Sequence, residues 1–163
     1  MVKLMLSAVA VLFAAAGFAA DLEGKVVAVI DGNTLRIVCQ NDQTHIIHLI
    51  GIDSPELSQE YGQESKKYLE KIALGKKVTI SIEGKDRRGN PLAVVMVNGK
   101  RDLRVDLLEE GLAWTSEKNP LPELEKCRTR AENKAMGLWK QDNPTPPWTY
   151  RRQQSMMEPK TSY

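Results

Sequence analysis

The residues of this chain that could do chemistry collect in a few short stretches. Asp31-Gly32-Asn33 and Asp53-Ser54-Pro55-Glu56 offer oxygens, which can orient a water or share a hard cation. Asp86-Arg87-Arg88 offers guanidinium groups able to meet phosphate. His48 can exchange a proton, and Cys39 and Cys127 can bridge where the surroundings are oxidising. Each stretch also has a plain structural reading. The first is hairpin-turn chemistry. The second is a helix-initiating turn, with Ser54 as cap, Pro55 at the first helical position and Glu56 beside the helix N-terminus. Arg87 and Arg88 read as an exposed charged loop, and His48 as a strand histidine meeting a local hydrogen-bond need. The cysteines read equally as two buried thiols, since spacing does not show whether their Cα atoms come within bridging range.

These residues need elements to hold them. Lys25 to Ile30, Thr34 to Val38 and His45 to Ile52 are runs rich in β-branched residues, separated by polar turns, and predict three strands in meander order. Gln63 to Ala73 places Tyr68, Leu69 and Ile72 among lysines and glutamates, a helical pattern that Gly75 stops. Lys77 to Glu83 and Leu92 to Val97 predict two more strands around the polar loop Gly84 to Pro91. Asp102 to Gly111 predicts a short helix and Pro122 to Met136 a charged one, each ending at a glycine. Beyond Trp139 the pattern dissolves, and residues 153–163 are expected to be a flexible tail. Trp148-Thr149-Tyr150-Arg151-Arg152 reads as a segment that either wraps back onto the domain or docks a partner. Three strands, a helix, two strands and then helices give an α+β class with a small, strongly curved sheet.

Composition sets the limits. The chain has 163 residues, 42% of them apolar, enough for one packed domain. Its 23 basic residues stand against 21 acidic ones, so no global positive field marks it as a polyanion-coating protein, and any phosphate site must be local. Two cysteines exclude a disulfide-framework miniprotein. Lys3, the Ala-rich apolar run Leu4 to Phe18, and the small residues Gly17 and Ala19 predict a signal peptide over residues 1–19, cleaved near Ala19. The run is shorter than the ~20 residues needed to span a bilayer. A secreted or periplasmic protein with no transmembrane segment after cleavage is expected, with its domain over residues 20–152 and a monomer as the default.

Several blocks together resemble the staphylococcal nuclease (thermonuclease) family: Asp31-Gly32-Asn33-Thr34, His48-Leu49-Ile50-Gly51-Ile52-Asp53-Ser54-Pro55-Glu56, Tyr61-Gly62, Asp86-Arg87-Arg88-Gly89, Glu110-Gly111-Leu112-Ala113-Trp114, Met136-Gly137-Leu138-Trp139 and Pro146-Pro147-Trp148. They occur in family order and cover essentially the whole mature chain. The resemblance implies a five-stranded OB-fold β-barrel with about three α-helices, and calcium-dependent hydrolysis of DNA and RNA phosphodiesters. It implies that Glu56 is the catalytic carboxylate, and that Asp53, with the backbone carbonyl of Ser54, is a metal ligand.

Three positions depart from that pattern. Asn33 stands where the family has a second metal-binding aspartate, so a weakened calcium site is expected. His48 and Asn90 stand where it has two phosphate-clamping arginines, and neither has a planar, permanently charged fork. Arg87 and Arg88 are the nearest phosphate-binding candidates. Removing one preorganised donor typically costs ~10²–10³ in turnover, and a transition-state arginine can be worth ~10³–10⁵. Hydrolysis is therefore expected to be impaired or lost, leaving a module that binds DNA, RNA or a cell-envelope partner. The alternative is an active divalent-metal-dependent endonuclease with a rewired site built from Glu56, Asp53 and Arg87 or Arg88.

Overall fold

A computed structural model describes residues 21–157. The expected signal peptide, residues 1–19, lies outside the described residues, as do residues 158–163 of the expected tail. The chain opens with strands β1 (Leu22–Asp31), β2 (Thr34–Cys39) and β3 (Thr44–Leu49), the predicted meander. The β1–β2 turn is tight, pairing Asp31 with Thr34, and the Asn33 backbone N–H donates to Asp31 Oδ1 at 3.0 Å, the local bond that turn aspartates supply. Two register shifts in β1, between Val26 and Ala28 and between Val29 and Asp31, bend the strand and start the sheet curling.

The third apolar run does not form one strand. It breaks after Leu49, Gly51 takes φ 82°, and β4 (Ile52–Asp53) leaves the barrel to pair with β8 (Trp114–Thr115). Helix α1 (Gly62–Ala73) follows, then β5 (Lys77–Lys85), β6 (Pro91–Val97) and the short β7 (Arg101–Asp102). The sheet order is β3-β2-β1-β5-β6-β7, and a parallel pairing of His48 with Leu92 and Leu49 with Ala93 joins β3 to β6. That seam closes five strands into the barrel expected of an OB fold.

Period-2 alternation fills the interior: Leu35, Ile37 and Cys39 from β2, Val78 and Ile80 from β5, and Ala93, Val95 and Val97 from β6 are buried. Helices α2 (Leu103–Glu109) and α3 (Pro122–Asn133) join α1 in covering the same core with Leu69, Leu107, Leu108 and Leu124. Each such leucine, fully buried, contributes ~1.5–3 kcal/mol. Cys39 and Cys127 lie in this core as free thiols, with burial pushing the Cys39 thiol up from its ordinary value.

A 3₁₀ turn (Gly137–Lys140) leads to a fourth helix, α4 (Pro147–Met157), beyond the three implied. Residues 153–157, placed by the sequence in a flexible tail, are its last turns. Pro147 suits a first helical turn, where its missing N–H costs nothing, and Thr149 and Tyr150 N–H both bond Pro146 C=O at 3.0 Å. Arginine, glutamine and methionine then carry the helix on good intrinsic propensity. Of the two readings of this segment, the structure takes the one that wraps back. Trp148 sits edge-on to Trp114 at 5.7 Å, Trp114 edge-on to Trp139 at 4.5 Å, and Gln59 Nε2 donates to Thr145 C=O at 2.5 Å.

Candidate functional site

Two close approaches hold the Asp53 to Glu56 turn, one against the β1–β2 turn and one against the start of α1. A Cβ on Gly32 would fall 2.6 Å from Ser54 Cβ, so only glycine lets the β1–β2 turn rest on Ser54. A Cβ on Gly62 would fall 1.9 Å from the Glu56 carbonyl oxygen, so glycine there lets α1 begin beneath the turn. Ser54 is buried and its hydroxyl donates to Gly32 C=O at 3.0 Å. This overturns the helix-cap reading. No helix starts at Pro55; α1 begins at Gly62, and Tyr61 enters it with a left-handed φ of 66°.

The result is a cleft of about 690 Å³ at one end of the barrel. Asn33, His48, Asp53, Glu56, Arg87 and Arg88 all line it, so the structure gathers the residues read from the sequence. Asp53 is mostly buried, whereas Glu56 is 39% exposed. Burial pushes the Asp53 carboxyl above its ordinary value, and the Glu56 and Asp31 charges add to the rise.

One further residue enters, and it comes from α4. Arg151 Nη1 donates to Asp53 Oδ1 at 3.1 Å and to Glu56 Oε1 at 2.6 Å, while Nη2 donates to Asp53 Oδ2 at 2.7 Å. Its bond to Asp53, opposed by desolvation and aided by Glu56, holds the guanidinium still more firmly protonated than usual; in return it lowers the Asp53 carboxyl, only partly undoing the effect of burial. Sequence reasoning assigned this arginine no role in the site. Its pairing spans 98 and 95 residues, so no local spacing reveals it. The available signal was Trp148 three residues earlier, the spacing that puts two side chains on one helical face.

On the opposite wall, the β5–β6 loop is organised around Asp86. Its carboxylate accepts from Arg88 N–H and Asn90 N–H at 2.8 Å each, and from Asn90 Nδ2 at 2.9 Å. The Asn90 side-chain bond leads the causes that hold the Asp86 carboxyl below its ordinary value, with the backbone donors and His48 adding to it against some desolvation. His48 Nδ1 lies 3.0 Å from Thr34 Oγ1 and its Nε2 faces Asp86 at 3.7 Å. The side chains of Arg87 and Arg88 are exposed on the rim and make no ion pair or hydrogen bond among the described residues.

Residues 46–141 match the family model for the staphylococcal nuclease homologue. An uncharacterized endonuclease of Haemophilus influenzae is 34% identical over 133 residues, covering 81% of this chain and 74% of its own. Its namesake in Escherichia coli O157:H7 is 33% identical over 133 residues, covering 81% and 86%. The chain belongs to the staphylococcal nuclease family. A micrococcal nuclease of Shigella flexneri is similar too, 29% identical over 144 residues with 82% of each chain covered.

For this staphylococcal nuclease homologue, the family's implied calcium ion can be tested against the donors present. They are the Asp53 and Glu56 carboxylates, the Asp31 carboxylate with one oxygen already accepting from Asn33 N–H, the neutral Asn33 amide and the Ser54 carbonyl. Both Asp53 oxygens and one Glu56 oxygen already accept from Arg151. Calcium takes six to eight oxygens and draws its affinity from charged ones. With Arg151 seated, this donor set does not fit it.

Proposed function

We propose that this member of the family binds nucleic acid in the cleft while its hydrolysis is impaired or lost. The observation that carries the reading is the fate of the two positions at which family members carry phosphate-clamping arginines. His48 and Asn90 both turn to Asp86, so neither supplies a fixed positive fork for the charge that builds on phosphoryl oxygens. Arg87 and Arg88, exposed at the rim, supply the basic contacts that a phosphate backbone needs, without the preorganisation that catalysis needs. Calcium binds weakly, because Asn33 removes one formal charge. The protein is exported by its N-terminal segment to the periplasm or beyond, and acts there as a monomer.

The test is incubation of the purified protein with DNA and RNA over calcium, magnesium and manganese, beside Glu56→Ala, together with fluorescence polarisation on a labelled single strand. The expected result is salt-sensitive binding that survives Glu56→Gln, with no cleavage that Glu56→Ala removes. Replacing Arg87 or Arg88 by alanine should lower the salt slope by about one each.

A second reading has a specific observation in its favour. Arg87 and Arg88 line the same cleft as Asp53 and Glu56, and the relatives of Haemophilus influenzae and Escherichia coli carry the name endonuclease. In that reading Glu56 orients water and an arginine of the rim swings in to meet the phosphate. Metal-dependent cleavage abolished by Glu56→Ala would establish it and overturn the first.

A further inference from the structure

We propose that Arg151 is an internal counter-cation, taking the place between Asp53 and Glu56 that a divalent cation would take, so that its seating and cation binding exclude one another. The inference concerns the same cleft as the proposed function and rests on that assignment of the site, adding how its affinity for metal is set. A bound calcium would sit ~2.3–2.6 Å from carboxylate oxygens. Three of the four carboxylate oxygens of Asp53 and Glu56 accept from Arg151, at 2.6, 2.7 and 3.1 Å. A guanidinium and a divalent ion on the same oxygens would sit close together as like charges and repel, so the two compete for them.

The arrangement is built rather than incidental, because α4 is held by contacts that do not involve Arg151. Trp148 packs on Trp114, the Tyr150 hydroxyl lies 3.0 Å from Ser58 Oγ, and Arg152 pairs with Glu117 at 3.2 Å. The helix therefore keeps a guanidinium at high effective concentration beside the carboxylates. The Arg151 side chain is itself 49% exposed. It can leave the carboxylates by rotating into solvent while α4 stays docked, so the plug is displaceable at a cost confined to one side chain. A cation then binds only the fraction of molecules in which Arg151 is out, and its apparent affinity falls by that fraction.

Calorimetric titration of calcium alone into the purified protein tests this, with no nucleic acid present. If Arg151 is seated about nine-tenths of the time, Arg151→Ala and Arg151→Gln should each bind calcium ~10-fold more tightly than the parent. Adding Asp53→Asn to either variant should remove the gain. Arg151→Gln removes the charge while keeping a straight-chain side chain of good helix propensity, so it serves if the alanine variant loses α4, which circular dichroism would report. Calcium affinity in Arg151→Gln equal to or weaker than the parent's, or a gain that survives Asp53→Asn, would overturn the proposal. Either result would leave nucleic-acid binding by the cleft standing, because that is read separately by polarisation in the parent protein.

Discussion

The two walls of the cleft treat their polar groups in different ways. The wall made by β4 and the turn after it presents Asp53, Ser54 and Glu56, and Arg151 reaches them from near the other end of the chain. The wall made by β3 and the β5–β6 loop has neutral or imidazole side chains at His48 and Asn90, knit to Asp86. The first wall carries carboxylates that an arginine neutralises; the second carries no arginine at His48 or Asn90 and uses those side chains for local order. A neutralised group can be released by one side-chain motion, whereas a missing group can be regained only by substitution.

The largest effect expected from breaking this contrast lies on the second wall. Restoring Asn33→Asp, His48→Arg and Asn90→Arg together should raise calcium-dependent DNA cleavage by at least ~10², measured as initial rates beside the same triple variant with Glu56→Ala. No gain would mean that Arg151, rather than the missing arginines, limits the site. Next comes the scaffold of the first wall. Gly62→Ala drives a Cβ into the Glu56 carbonyl and should cost ~3 kcal/mol by urea denaturation, whereas Gly84→Ala in the β5–β6 ribbon, with nothing within 4 Å, should change stability far less.

Smaller effects follow from titration. Asp53 sits above its ordinary value despite Arg151, so the folded state holds that proton longer than the unfolded chain, and stability declines as pH rises through the interval between the two values. Arg151→Ala removes two influences that lower the Asp53 carboxyl, and a carbon-13 NMR titration should find it higher still. Asp86 is displaced the other way, so its contribution is present above ~pH 4 and lost as pH falls through its depressed folded value. Asn90→Ala should move the Asp86 titration back toward the ordinary aspartate range, the smallest of these shifts.

Much of the barrel could be read from the chain, because alternating β-branched residues such as those of β2 and β6 carry their burial in their spacing. The break after Leu49 could not, since Ile50-Gly51-Ile52 continues an apolar run and only the left-handed Gly51 redirects it. The Asp53 to Glu56 turn was visible through family blocks rather than through spacing, which by itself favoured a helix cap. Helix α4 escaped because its inward signal is little more than Pro147 and Trp148, and the residues after them are polar. Arg151 escaped for a deeper reason: an ion pair between distant segments leaves no period in a sequence.

The seam between β3 and β6 rests on two residue pairs, His48 with Leu92 and Leu49 with Ala93, and one flanking bond from Ile50 N–H to Ala93 C=O at 3.0 Å. Joining positions more than forty residues apart for so few hydrogen bonds returns little enthalpy for the loop entropy lost, so closure is expected late in folding. His48 lies in that seam and Asn90 just before its β6 side, and Asp86 faces the one and bonds the other. The cleft should therefore have no partial form: until the last strands meet, the β3 and β5–β6 parts of its second wall stand on opposite edges of an open sheet. Hydrogen exchange would register this as early, cooperative loss of protection at Ile50, ahead of the β1–β2 hairpin.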